Sequence, residues 1–444
     1  MSRFPSATVS PIDEFNRSAV YRFSLVFTAF VFLADITNFV GFSPYSAAIK
    51  YIYTAIAGAL VYHYFSRFES VSTRSAGPPL ALAFFVVAAV GFAANLLRGI
   101  EVSYISAFTA SLVFASASFI PAGAFAVNVS TVCRDLRRLF LLGSVCYLFE
   151  ASLKASGFAA SISYAPEIQH VKSIVCVMGI AIAILTRSQR SIIIFLTITI
   201  ASLIVRPSTS LLIATVICMP LAYALRSGLR RTYSAFAWAA LMLAAITPWL
   251  FYWSFDSIAN IVTDGEAYVK EGLLEGHSNT DFRLAIFRLA LRSLDGSLLF
   301  GQALSGNPNV DLGAEFRWWH EIVPEGTALI HSDWLVVVTQ AGAVGATLFF
   351  LMFASILKLR LRALAAVGTG APSATSSLLS LSIVGCVAFF LYSSFNPVLP
   401  LYHIAHSFWF ILLVSEIVAR GVLSTATECA NAAAPEPELE AQPV

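Results

Sequence analysis

The chain alternates between long apolar runs and short polar breaks. Crossing a bilayer as a helix takes about 20 mostly apolar residues. Runs of that kind recur at 22–40, 46–65, 79–98, 103–126, 138–158, 170–186, 190–206, 209–225, 233–253, 331–357, 376–394 and 402–419. Only Arg187, Ser188, Gln189 and Arg190 separate the pair 170–186 and 190–206. The pattern predicts an all-α polytopic membrane protein of about 12 transmembrane helices.

One polar stretch interrupts the series. Residues 254–330 are too long for a structureless connection, so they are expected to carry structure of their own. Phe282, Ala285, Ile286, Leu289 and Ala290 recur at helical spacing, which predicts an amphipathic helix over 281–294. The expected organisation is a cytoplasmic segment (1–21), transmembrane helices 1–9 (22–253), a large extracytoplasmic loop containing helices (254–330), helices 10–12 (331–419) and a disordered tail (420–444) rich in Ala, Pro and Glu from Ser424 on.

Composition strengthens this reading. The chain is 58% hydrophobic and 12% charged, against roughly 25% charge in soluble domains, which excludes a soluble protein with several buried cores. The first apolar run lacks a small-residue cleavage site and reads as a retained helix. No internal repeat is visible. None of the six cysteines lies in the long loop and no CxxC spacing occurs, so neither a disulfide framework nor a metal site is expected.

Charge sets the orientation. With the N-terminus inside, 17 of the 27 basic residues fall in cytoplasmic positions, among them Arg134, Arg137, Arg138, Arg187, Arg190, Arg226, Arg360 and Arg420. The short outer connections hold five: Lys50, Arg98, Lys154, Lys172 and Arg206. Both termini are then cytoplasmic and the long loop is outside. Nothing in the charge pattern points to nucleic acid.

Most intramembrane polar residues have a plain reading; Glu150 and Lys154, four apart, are expected to pair within one helix. Three features at the outer face are sharper. Arg206 stands outside, against the charge bias, before a helix that Ser208 or Thr209 can cap, leaving free N–H groups that suit an anion. The loop helix carries Arg283, Arg288 and Arg292 in an acidic loop. His331, Ser332, Asp333 and Trp334 open an apolar run at the outer surface. The aromatic and basic run Arg317-Trp318-Trp319-His320 suits the bilayer interface or a sugar.

His331-Ser332, nine residues and then Gly342-Ala343-Val344-Gly345 resemble the signature of the O-antigen ligase and polymerase family. Asp281-Phe282-Arg283 with Phe287 resembles that family's arginine segment, and Leu299-Phe300-Gly301-Gln302-Ala303-Leu304 its glycine-containing turn. Arg206-Pro207-Ser208-Thr209-Ser210 resembles its other arginine, although Pro207 intervenes and Val205 replaces the family's serine. The likeness spans about Arg206 to Trp409.

The resemblance implies metal-independent transfer of sugar from an undecaprenyl-pyrophosphate carrier to an acceptor hydroxyl, at the periplasmic face of a bacterial inner membrane and without a cofactor. Arg206 and Arg283 are the expected diphosphate clamp, with Arg288 in reserve and Ser208 and Ser332 nearby. His331 is the expected base or phosphate ligand. Asp333 could orient it, although two residues on a regular helix diverge by about 200°. Polymerisation of exopolysaccharide or O-antigen repeats is the leading expectation. Ligation of a finished glycan to lipid A-core and transfer to a protein hydroxyl share the donor chemistry. A transporter of lipid-linked or free polysaccharide is the alternative from another class.

Overall fold

The computed structural model describes residues 75–98, 128–156, 172–253, 297–302, 309–311, 327–329, 332–368, 373–394 and 402–432, with scattered positions at 21–33, 114–115 and 287–294. Nine helices are described: α1 (Gly77–Leu97), α2 (Val129–Ala155), α3 (Ile174–Leu185), α4 (Gln189–Val205), α5 (Thr209–Ser227), α6 (Arg230–Trp253), α7 (Asp333–Val367), α8 (Ala374–Ser393) and α9 (Tyr402–Ala432). Five of them, α1, α5, α7, α8 and α9, contain stretches long and apolar enough to cross a membrane. The protein is an α-helical membrane protein. The expected span 46–65, most of 22–40 and 103–126, and most of the 254–330 loop lie outside the described residues.

All twelve residues of α3 are buried, because α2, α4, α5 and α8 pack around it. The outer helices show the reverse pattern. In α4 only Phe195, Thr199 and Ser202 are buried, one stripe at helical spacing, while Ile193, Ile200 and Ile204 face outward. Exposed isoleucines on a packed helix are what a lipid solvent permits.

Cross-contacts at both ends show that α2 and α8 run one way and α3 and α5 the other. At one end Arg226 donates to the Ile184 carbonyl at 3.4 Å and the Cys133 thiol to the Ala374 carbonyl at 3.7 Å. At the other, the Ser173 and Tyr392 hydroxyls are 2.6 Å apart, and the Trp334 indole donates to Ser393 at 3.1 Å.

The expected span 331–357 is not one straight helix. α7 breaks at Gly342 (φ 63°, ψ −164°). Trp334 and Phe349 would sit about 22 Å apart along a straight axis, yet their ring centroids are 4.9 Å apart, and Trp334 reaches Phe353 at 6.4 Å. The short first half, all of it buried, therefore folds back against the long second half, which is the part that crosses. The break leaves backbone groups unpaired inside the helix, and a buried break is tolerated only where other groups satisfy them. The turn at 297–302 does this. Ala343 N–H donates to the Leu298 carbonyl at 2.9 Å, Val344 N–H to Leu299 at 3.1 Å, and Gln302 N–H to Thr339 at 2.8 Å. Leu298, Leu299 and Phe300 on that turn remain more than half exposed, as an apolar tip beside the bundle.

Three more expectations change. Among the described residues the 254–330 loop carries a two-stranded antiparallel ribbon, β1 (Asn309–Asp311) and β2 (Thr327–Leu329), pairing Val310 with Ala328, which an all-α reading omits. Of its predicted helix, Phe287 and Ala290 are helical, and both are buried, as is Leu294. The tail expected to be disordered from 420 instead continues α9 as far as Ala432; its alanines favour helix, and no proline follows until Pro435. Arg360 and Arg420, counted as cytoplasmic loop charges, are buried. Arg360 donates to Glu416 at 2.5 Å and to the Leu412 carbonyl at 2.7 Å, and Arg420 donates to Glu416 at 3.1 Å, which ties α7 to α9.

Candidate functional site

The polar residues of interest gather at the end of the bundle opposite Arg226 and Cys133. α4 ends where Arg206 turns extended (φ −145°), since Pro207 disfavours helix in the residue before it. Ser208 then caps α5, its hydroxyl accepting from Leu211 N–H at 3.3 Å. The chain thereby places a guanidinium and a capped helix start side by side, as the sequence predicts. The hydroxyl of Ser208 is occupied by the cap, so an anion would meet the neighbouring N–H groups and Arg206.

The short half of α7 supplies a second helix start. Ser332 is extended (φ −156°), and its hydroxyl accepts from Leu335 N–H at 3.3 Å. Ser332 and Asp333 are 1% and 0% exposed, so this helix start is enclosed by protein. Because α7 begins at Asp333, the helical-wheel divergence expected between positions 331 and 333 does not apply.

Buried polar groups lie between the two helix starts. The Arg206 guanidinium lies within electrostatic reach of the Tyr147 hydroxyl, which is buried and makes no hydrogen bond among the described residues. Ser173 bonds Tyr392, and the next residue, Ser393, accepts from Trp334 in the first turn of α7. Beside Ser173, Lys172 donates to Glu150 at 2.8 Å, with both side chains 7% exposed or less. Lys172, from a different segment, thus pairs with Glu150; the Lys154 side chain, the partner expected within the helix, lies outside the described residues.

Sequence reasoning did not single out Tyr147 or Tyr392, placed Lys172 only among the outer charges, and named Trp334 only within the run that His331 opens. Their spacing carries no motif, and only the packing of α2, α3 and α8 brings them together. Of the predicted residues, Arg206, Ser208, Ser332 and Asp333 stand at the same end of the bundle. Arg283, Arg288 and His331 lie outside the described residues. Among the described residues no group of three or more His, Cys, Asp or Glu could hold a metal.

The Arg206 guanidinium, two capped helix starts and buried hydroxyls can bind and polarise an anion. Charge fixed in a low-dielectric site acts far more strongly than the same charge in water. No family model matches the chain, and no curated protein matches its sequence.

Proposed function

We propose that the protein is a membrane glycosyltransferase that moves sugar chains from an undecaprenyl-pyrophosphate carrier to an acceptor hydroxyl at the outer face of a bacterial inner membrane, most readily as a polymerase of exopolysaccharide or O-antigen repeats. The observation that carries the reading is the convergence, at one end of the bundle, of the Arg206–Ser208 joint and the enclosed helix start at Ser332–Asp333. These are two of the segments on which the family resemblance rests, although they are more than 120 residues apart. The two glycine segments of that resemblance, around Gly301 and Gly342, also meet, backbone to backbone.

In this reading the acceptor oxygen attacks the anomeric carbon. The bond from that carbon to the diphosphate oxygen breaks, and its electron pair leaves with the lipid diphosphate. The hydroxyl proton passes to His331. Arg206 and Arg283 hold the diphosphate; a guanidinium fork matches phosphate oxygens without a metal. Removing one such donor typically costs on the order of 3 kcal/mol of transition-state stabilisation. Arg288, Ser208, Ser332 and Asp333 shape the same site. The acceptor is a growing glycan in a polymerase and lipid A-core in a ligase.

Deleting the gene and analysing lipid-linked glycans tests the reading. Single repeat units accumulating on the carrier indicate polymerase, and long unattached chains indicate ligase. Unchanged surface glycan and carrier pools would remove the proposal.

A further inference from the structure

The inner end of the bundle, opposite Arg206 and Ser332, holds a cavity of about 260 Å³ bordered by Arg134, Arg137, Arg187 and the start of α8 at Ser373. We propose that it binds a phosphate group, supplied by the headgroup of an anionic phospholipid in the cytoplasmic leaflet. The inference does not depend on the glycosyl-transfer reading.

Three guanidiniums border one cavity, and little nearby offsets them. Among the described residues no acid lines the cavity; the one paired with Arg134 is Asp135. It accepts from Tyr21 at 2.9 Å and lies 3.8 Å from Arg134 and 3.9 Å from Arg138, so it is shared. The guanidiniums of Arg137 and Arg187 have no hydrogen-bond or ion-pair partner among the described residues. The carbonyls ending α3 could have balanced the charge, but they are taken. Ala183 accepts from Ser188 N–H at 3.0 Å and Ile184 from Arg187 N–H at 3.1 Å. Leu185 accepts from the Ser377 hydroxyl at 3.1 Å. The start of α8 adds positive potential: Ser373 and Ser376 form a capping box there.

The backbone supplies an independent observation. Arg187 has φ +56°, and it is the one described non-glycine residue with positive φ. Glycine is the cheapest residue in that conformation. The chain keeps a guanidinium at the cavity rim where local geometry favours no side chain at all, and such an outlier points to function.

Size and position identify the ligand. Sites for drug-sized molecules run to roughly 300–1,000 Å³, so this cavity suits a headgroup better than a nucleotide. Along α4, about two turns beyond Arg187, Ile193 and Ile194 are exposed, which places acyl-chain surface near the cations. Basic pockets between transmembrane helices on the cytoplasmic side are a recurrent headgroup site.

The test is native mass spectrometry of the purified full-length protein with phosphatidylglycerol, with phosphatidylcholine, and with soluble glycerol 3-phosphate as competitor. Phosphatidylglycerol should be retained in preference to phosphatidylcholine. Arg187→Gly should weaken its retention about fivefold, and Arg187→Gly with Arg137→Gln about 25-fold. The glycine variant relieves the positive φ, so its thermal midpoint should equal or exceed that of the wild type, which separates lost binding from lost folding. Equal retention of the two lipids, or unchanged retention in the double variant, would overturn the site. Full displacement of the lipid by glycerol 3-phosphate at comparable concentration would overturn the lipid as its source.

Discussion

Gly301 and Gly342 meet without side chains between them. A Cβ on Gly342 would fall 2.3 Å from the Leu299 carbonyl oxygen and 2.5 Å from Gly301 N, and one on Gly301 would fall 2.6 Å from Gly342 N. Both have positive φ. This contact fastens the turn at 297–302 to the break in α7 and so sets where the enclosed helix start at Ser332 points.

Gly342→Ala should therefore destabilise the protein strongly. Left-handed backbone costs about 1–2 kcal/mol for a residue with a Cβ, and overlap in a packed site adds about 1–3 kcal/mol. Gly301→Ala should behave alike. Because either change undoes the same contact, the double variant should lose less than the sum of the single ones. Thermal unfolding in detergent measures all three.

The pair Lys172–Glu150 gives a different signature. Lys172→Met or Glu150→Gln alone leaves a buried charge without its partner and should cost about 3–5 kcal/mol, whereas replacing both by apolar residues of similar volume should be near neutral. A double-mutant cycle on unfolding midpoints reads the difference.

Arg360 is expected to be sensitive to shape as well as charge. It reaches Glu416, Ser415 and the Leu412 carbonyl at once. Arg360→Lys keeps the charge and loses the fork, so it should destabilise the α7–α9 contact by about 1–3 kcal/mol. Limited proteolysis together with thermal unfolding would detect it.

Cys133 predicts a pH response. Burial pushes its thiol up to about 12, and Arg137 pulls it down only in part. A raised folded value contributes stability that is fully present below the unfolded value of about 8.5 and fades as pH climbs toward the folded one. At pH 8 the folded protein should alkylate far more slowly than the denatured chain, and mass tagging with iodoacetamide measures the ratio.

Much of the helical framework was legible in the apolar runs, because a bilayer demands long uninterrupted ones. α4, for example, is expected at 190–206 and found at Gln189–Val205. What the sequence hid is non-local. Lys172 reaches Glu150 only through packing, across 22 residues, and no spacing in the string signals it. Gly342 stood out as part of a motif and not as a reversal, since the carbonyls that stabilise the break come from residues 298 and 299. Arg360 and Arg420 were assigned by their position along the chain, which says nothing about an acid such as Glu416 on a neighbouring helix. At the candidate site, the caps at Ser208 and Ser332 were readable from local chemistry, and Tyr147, Lys172 and Tyr392 were not.

The central claim is that cations and an imidazole at the outer end transfer a glycan from a lipid diphosphate. The most direct measurement incubates purified protein with an undecaprenyl-pyrophosphate-linked glycan and an acceptor glycan, and follows the lipid pyrophosphate set free. The account predicts release that His331→Ala abolishes and that Arg206→Lys cuts by about 100-fold or more, with both variants folded. A donor that stays intact with active-state protein, or is carried whole across a vesicle membrane, would contradict it.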